Sequence, residues 1–113
     1  MTFAVEQSDP TVITLSGNVL GGAEAMSFTG VVADLVRAGV RYVIADLSDV
    51  PLMNSSGLGM LVGASTTLRN AGGVLAVAGA NEKLRELFRM TRLDAVLALY
   101  ATRADAAAAA PSR

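Results

Sequence analysis

The sequence predicts one α/β domain: a mixed central sheet of about five strands with helices mainly on one face. Three observations predict it. After two short β-rich runs, helical and strand periodicity alternate three times, and such alternation lays crossover helices against a mostly parallel sheet. Two strand candidates, "RYVIADLS" and "VLAVAG", are apolar almost throughout, as strands covered on both faces are. The chain of 113 residues is 52% hydrophobic and 17% charged, which suits a single core and is too apolar for disorder.

"FAVEQ" and "TVITLSG" are separated by the turn residues Ser8, Asp9 and Pro10, a spacing that fits an antiparallel pair. From Ala23 to Arg37 the period changes: Met26, Phe28, Val31, Val32, Leu35 and Val36 suggest a helix. Gly39 follows its last turn, where a left-handed cap costs glycine least. Residues 42–47 form the first buried strand. Leu58, Leu61, Val62, Ser65 and Leu68 then mark a second helix, which Asn70 and Gly72-Gly73 stop. "VLAVAG" is the next strand, "NEKLRELFRM" a short helix with Leu84, Leu87 and Phe88 inward, and "AVLALY" the last strand. "ATRADAAAAAPSR" closes the chain as a helix ended by Pro111, its alanines helix-prone but with little to bury. Residues 1–102 are accordingly assigned to the domain and 103–113 to an Ala-rich helix and tail.

Composition narrows the function. With no cysteine there is no disulfide, thiolate nucleophile or Cys-based metal site, and with no histidine there is no Ser-His-Asp triad. Lys83 is the sole lysine, which leaves little scope for a lysine base. A non-catalytic protein without metal or cofactor is expected. Nine basic and ten acidic residues give a net charge of -1, without the basic surplus of nucleic-acid binding. Arg85, Arg89 and Arg92, the one close basic set, read as a solvated helix face. The opening "MTFAVEQSDP" lacks the basic start and apolar run of a signal peptide, so a cytoplasmic location is expected.

The remaining question is "VPLMNSSGLGMLVGA", residues 50–64, an uncharged stretch with two adjacent serines and three glycines. As part of a membrane span it fails, because Pro51, Asn54, Ser55 and Ser56 would break or hydrate its first third. As a dinucleotide loop, Gly57, Gly59 and Gly63 do not directly follow a strand, and no acid ends the next one. The nucleophile elbow G-x-S-x-G is absent, since Met53 and Asn54 stand where its first glycine belongs. What fits is a helix start. Asn54 and Ser55 are both preferred caps, and the first turn of a helix offers unpaired N–H groups and a positive dipole end. A phosphate on Ser55 would meet donors at Ser56, Gly57 and Leu58. Gly57 is expected to leave room for an approaching protein, and Pro51, Leu52, Met53 and Leu58 to supply apolar contact.

"VIADLSDVPLMNSSGLGMLVGA" resembles the signature of the STAS domain, in particular of bacterial anti-sigma factor antagonists: an apolar strand ending D-L-S, a valine, then an acid followed by S-S-G-L-G. "ITLSG" is similar to the family's second strand, and "GGVLAVAGANEKLRELFRMTRLDAVLALY" to its last third. The resemblance implies a protein-binding switch. Its partners would be an anti-sigma factor serine/threonine kinase and a metal-dependent serine phosphatase. It places the phosphate on the first serine of the pair, Ser55, with Ser56 the alternative. Leu52, Met53, Asn54, Ser56, Gly57 and Leu58 would then form the partner-binding surface. The chain departs from the family at Asn54, where an acid is usual, and at Asn18 and Leu20, where many members read G-E-L-D. Two other readings stand beside the switch: a STAS adaptor that binds without phosphate control (stressosome, transporter-associated or two-component partner), and a nucleotide-binding regulator using residues 57–63.

Overall fold

The structure, a computed structural model, describes residues 1–111. Nine principal elements follow in the order β1 (Thr2–Glu6), β2 (Thr11–Ser16), α1 (Ala23–Arg37), β3 (Tyr42–Asp49), α2 (Ser55–Asn70), β4 (Val74–Ala78), α3 (Glu82–Met90), β5 (Ala98–Tyr100) and α4 (Arg103–Ala108). The sheet order is β1-β2-β3-β4-β5. β1 runs antiparallel to β2, and the other three pairings are parallel.

That order dictates the layering. Each crossover from β2 onward connects neighbouring strands, and right-handed crossovers stepping in one direction land their helices on one face. Inward residues of α1 (Phe28, Val32, Leu35), α2 (Leu58, Leu61, Leu68) and α3 (Leu84, Phe88) share one cluster with Ile13, Leu15, Val43, Ala45, Leu47, Leu75 and Val77. The alternate strand residues Val12, Ile44, Ala76 and Ala78 face the other way and meet Ala106 of α4. The strand β3 is thus covered on both sides, as its largely apolar run predicts. The alanine-rich helix also has something to bury: Ala106 is fully inside, and its carbonyl accepts a hydrogen bond from the Tyr42 hydroxyl at 2.8 Å. Burial beside the neighbouring Tyr100 pushes the Tyr42 hydroxyl up to about 12. Of the closing tail, residues 112–113 lie outside the described residues.

Two expectations need correction. Met26 is exposed, because the inward stripe of α1 is Phe28, Val32 and Leu35. The last strand is shorter than "AVLALY": a 3-10 turn occupies Leu93–Ala95, and the Leu97 N–H bonds to the Leu93 carbonyl at 2.7 Å. Only Ala98–Tyr100 is left to pair with β4. No helix among the described residues is long and apolar enough to cross a membrane.

Candidate functional site

The candidate site is the start of α2, held by two neighbouring loops. The chain leaving β3 turns at Val50, whose N–H bonds to the Leu47 carbonyl at 3.0 Å, and passes Pro51 and Leu52 on the surface. On one side lies the turn of residues 17–22. Its Val19 N–H donates to the Leu52 carbonyl at 2.9 Å, and the Val19 carbonyl accepts from the Asn54 N–H at 3.2 Å. Val19 and Met53 form an isolated parallel bridge and are both buried. On the other side Asn81, the cap of α3, reaches back. Its Nδ2 donates to the carbonyls of Val50 (3.4 Å) and Pro51 (3.3 Å), while its Oδ1 accepts from the Leu84 N–H.

Asn54 is the N-cap, and Ser55 is the first helical residue. The Asn54 Oδ1 accepts from the Gly57 N–H at 2.9 Å, and the Asn54 backbone carbonyl accepts from the Leu58 N–H at 2.9 Å. Two of the donors expected for a phosphate, at Gly57 and Leu58, are therefore already used. The N–H groups of Ser55 and Ser56 have no intramolecular partner among the described residues, as the geometry of a helix start requires. Both serine side chains are exposed. The first turn of α2 contains no acid, whereas α1, α3 and α4 each carry one there: Glu24, Glu82 and Asp105. Its dipole end is uncompensated.

The sequence-predicted contact residues divide by burial. Leu52, Asn54 and Ser56 are on the surface, with Leu52 44% exposed. Met53, Gly57 and Leu58 face the core. Gly57 does not leave room for an approaching protein. A Cβ at this position would run into the Val19 carbonyl oxygen and lie 2.8 Å from the Met53 Cγ, so the glycine allows the turn of residues 17–22 to pack on the helix. Residues 57–63 all lie inside α2, and a Cβ added at Gly59 or Gly63 would meet only open space, so they form no phosphate-cradling loop. The nucleotide reading loses its structural basis.

Three surface features escape sequence reasoning. Leu20 is 50% exposed, and its carbonyl accepts from the Asn54 Nδ2 at 3.3 Å. Gly21 packs against Ser56 so closely that a Cβ on the glycine would lie 2.7 Å from the Ser56 Cβ. A groove of about 490 Å³ runs between Leu52 and α3, lined by the apolar Met53, Leu84, Leu87 and Met90 and by the charged Glu82, Lys83 and Glu86. The capping role of Asn81 does have a local signal, an asparagine directly before the acid and apolar spacing of "NEKL". The pairing of Leu20 with Asn54 spans 34 residues and has none.

Behind the site, on the α4 face, Asp46 closes a polar network. Its Oδ1 accepts from the Ser48 N–H (3.0 Å) and hydroxyl (2.6 Å), and its Oδ2 accepts from the Arg103 Nε at 3.0 Å. Arg103 also donates to the Thr14 hydroxyl at 2.8 Å. Burial alone would raise the Asp46 carboxyl, but the bonds from Ser48 and the Arg103 guanidinium outweigh it and hold it below its ordinary value.

Comparison with known proteins places this geometry. The chain is 29% identical to a Thermotoga maritima protein provisionally named an anti-sigma factor antagonist, over 92% of this chain and 93% of that one. The crystal structure of an anti-sigma factor antagonist from Mycobacterium paratuberculosis superposes with a TM-score of 0.81 at 28% identity, covering 96% and 92% of the two chains. The Bacillus cell fate determinant SpoIIAA in its phosphorylated form shares the fold, with a TM-score of 0.73 at 21% identity over 93% and 96%. The profile of the STAS domain matches residues 3–106, and the chain belongs to that family.

Proposed function

We propose that this protein is an anti-sigma factor antagonist. It binds an anti-sigma factor serine kinase and is released when that kinase phosphorylates Ser55. One observation carries the reading: Ser55 is exposed at the first position of a helix whose opening turn has no acid, and among the described residues its hydroxyl and the N–H groups of Ser55 and Ser56 have no partner. The hydroxyl is reachable by a kinase, and the helix start tolerates the product. The exposed side chains of Leu20 and Leu52, with the groove beside α3, give the apolar surface that a partner covers. A phosphate there adds about -1.5 to -2 charges, which an apolar interface excludes by desolvation. A metal-dependent serine phosphatase restores the binding form. The role is one of binding, not catalysis.

The substitutions Asn18, Leu20 and Asn54 at family acid positions favour a second reading, an adaptor that holds its partner without phosphate control. Calorimetric titration of a cognate anti-sigma factor serine kinase with the unmodified chain, and with the chain after kinase treatment, separates the two. The switch predicts loss of at least tenfold in affinity on modification, and the adaptor predicts none.

A further inference from the structure

We propose that the Asn54 carboxamide is a positioning group. It clamps the turn of residues 17–22 onto the first turn of α2, so that Leu20 is presented beside the serine pair as part of the surface that the kinase reads. This inference rests on the proposed switch for its purpose, but not for the clamp itself.

The carboxamide is used at both ends. Its Oδ1 accepts from the Gly57 N–H at 2.9 Å, and its Nδ2 donates to the Leu20 carbonyl at 3.3 Å. Any short acceptor side chain can make the first bond. The second needs a donor, which a carboxylate lacks, and a carboxylate would set its charge against the carbonyl oxygen. Asparagine therefore does here what aspartate cannot.

The clamped turn needs such a tie. Gly17, Gly21 and Gly22 all have φ between +82° and +84°, backbone that is open to many conformations in glycine. Val19 anchors the middle of the turn through its buried side chain and two backbone bonds, but Leu20 and Gly21 lie beyond that anchor. Gly21 rests on Ser56, so the position of this short segment sets what stands next to the serines. Leu20 is half exposed and apolar. With Leu52 it gives the site two leucines on a rim where Asn18 and Asn54 are neutral as well. A kinase that reads this rim makes an apolar contact there, and no salt bridge.

Two measurements test the clamp and its purpose separately. Backbone order parameters of the free chain are expected to fall at Leu20, Gly21 and Gly22 in Asn54→Asp at neutral pH. They should recover as the introduced carboxyl is protonated below about pH 4 and regains a donor. Unchanged order in Asn54→Asp overturns the clamp. Steady-state phosphorylation by a cognate anti-sigma factor serine kinase is expected to show KM raised about tenfold in Asn54→Asp and in Leu20→Ala, with kcat unchanged. The double variant should resemble either single one, because both remove the same contact. Wild-type KM in Leu20→Ala, or additive effects in the double variant, overturns the recognition role. If the wild-type chain is not phosphorylated at all, the switch reading fails and the recognition role with it, while the order parameters still decide the clamp.

Discussion

The carbonyl oxygen of Val19 fills the space that a Cβ on Gly57 would need, and the Met53 Cγ lies 2.8 Å from the same point. The glycine is thus part of the packing between the turn of residues 17–22 and α2. Gly57→Ala is expected to destabilise the fold by about 1–3 kcal/mol through overpacking, and Gly57→Val by more. Gly59, in the same helix with nothing within 4 Å, gives the opposite sign. Gly59→Ala should stabilise by about 0.5–1 kcal/mol, since alanine loses less backbone entropy. Urea denaturation midpoints check both. A Gly57→Ala variant as stable as the parent would show that the turn moves aside freely.

The ion pair of Arg103 with Asp46 ties α4 to the middle of β3, and it carries a pH dependence. The folded Asp46 carboxyl is held below its unfolded value, so its contribution is present above the unfolded value near pH ~4 and is lost as pH falls through the folded one. Arg103→Leu removes charged bonds to Asp46 and Thr14 and should cost about 1–3 kcal/mol at neutral pH. Acid unfolding of this variant should begin at higher pH than in the parent. Circular dichroism during acid titration reads the shift, and superimposable curves would contradict it.

The groove beside α3 supplies a test of the surface that does not involve the serines. Leu52 and Met90 line it and are 44% and 73% exposed. Leu52→Glu and Met90→Glu should change stability by no more than about 0.5 kcal/mol, as surface substitutions do. Each should weaken kinase binding at least tenfold. Unaltered binding in both would place the contact elsewhere.

Much of this architecture is written locally. The bounds of α1 and α2 follow from periodic apolar residues and from the glycines and Asn70 that stop them, and β3 from its largely apolar run. The end of the chain is less legible. The alternation in "AVLALY" suits a strand, but Arg92 takes a left-handed conformation (φ 61°) and starts a tight turn that consumes the first half. At the site, the serine pair and the helix start are legible from cap chemistry. Whether a neighbour is inward or outward is not. Met53 and Gly57 are covered by Val19, far earlier in the chain, and no local pattern encodes that contact.

The capping residue also changes the forecast for Ser55. Asn54 supplies the cap, so Ser55→Ala should alter stability by no more than about 0.5 kcal/mol, and Ser55→Asp should fold normally with its acid at the helix start. Ser55→Ala should hold the kinase persistently, and Ser55→Asp should bind it much more weakly. The most direct measurement is site-localised mass spectrometry of the chain after incubation with ATP and a cognate anti-sigma factor serine kinase. The switch predicts phosphate on Ser55 in the parent and in Ser56→Ala, and none in Ser55→Ala. Phosphate on Ser56 alone, or on neither serine while Ser55→Asp binds like the parent, would contradict it.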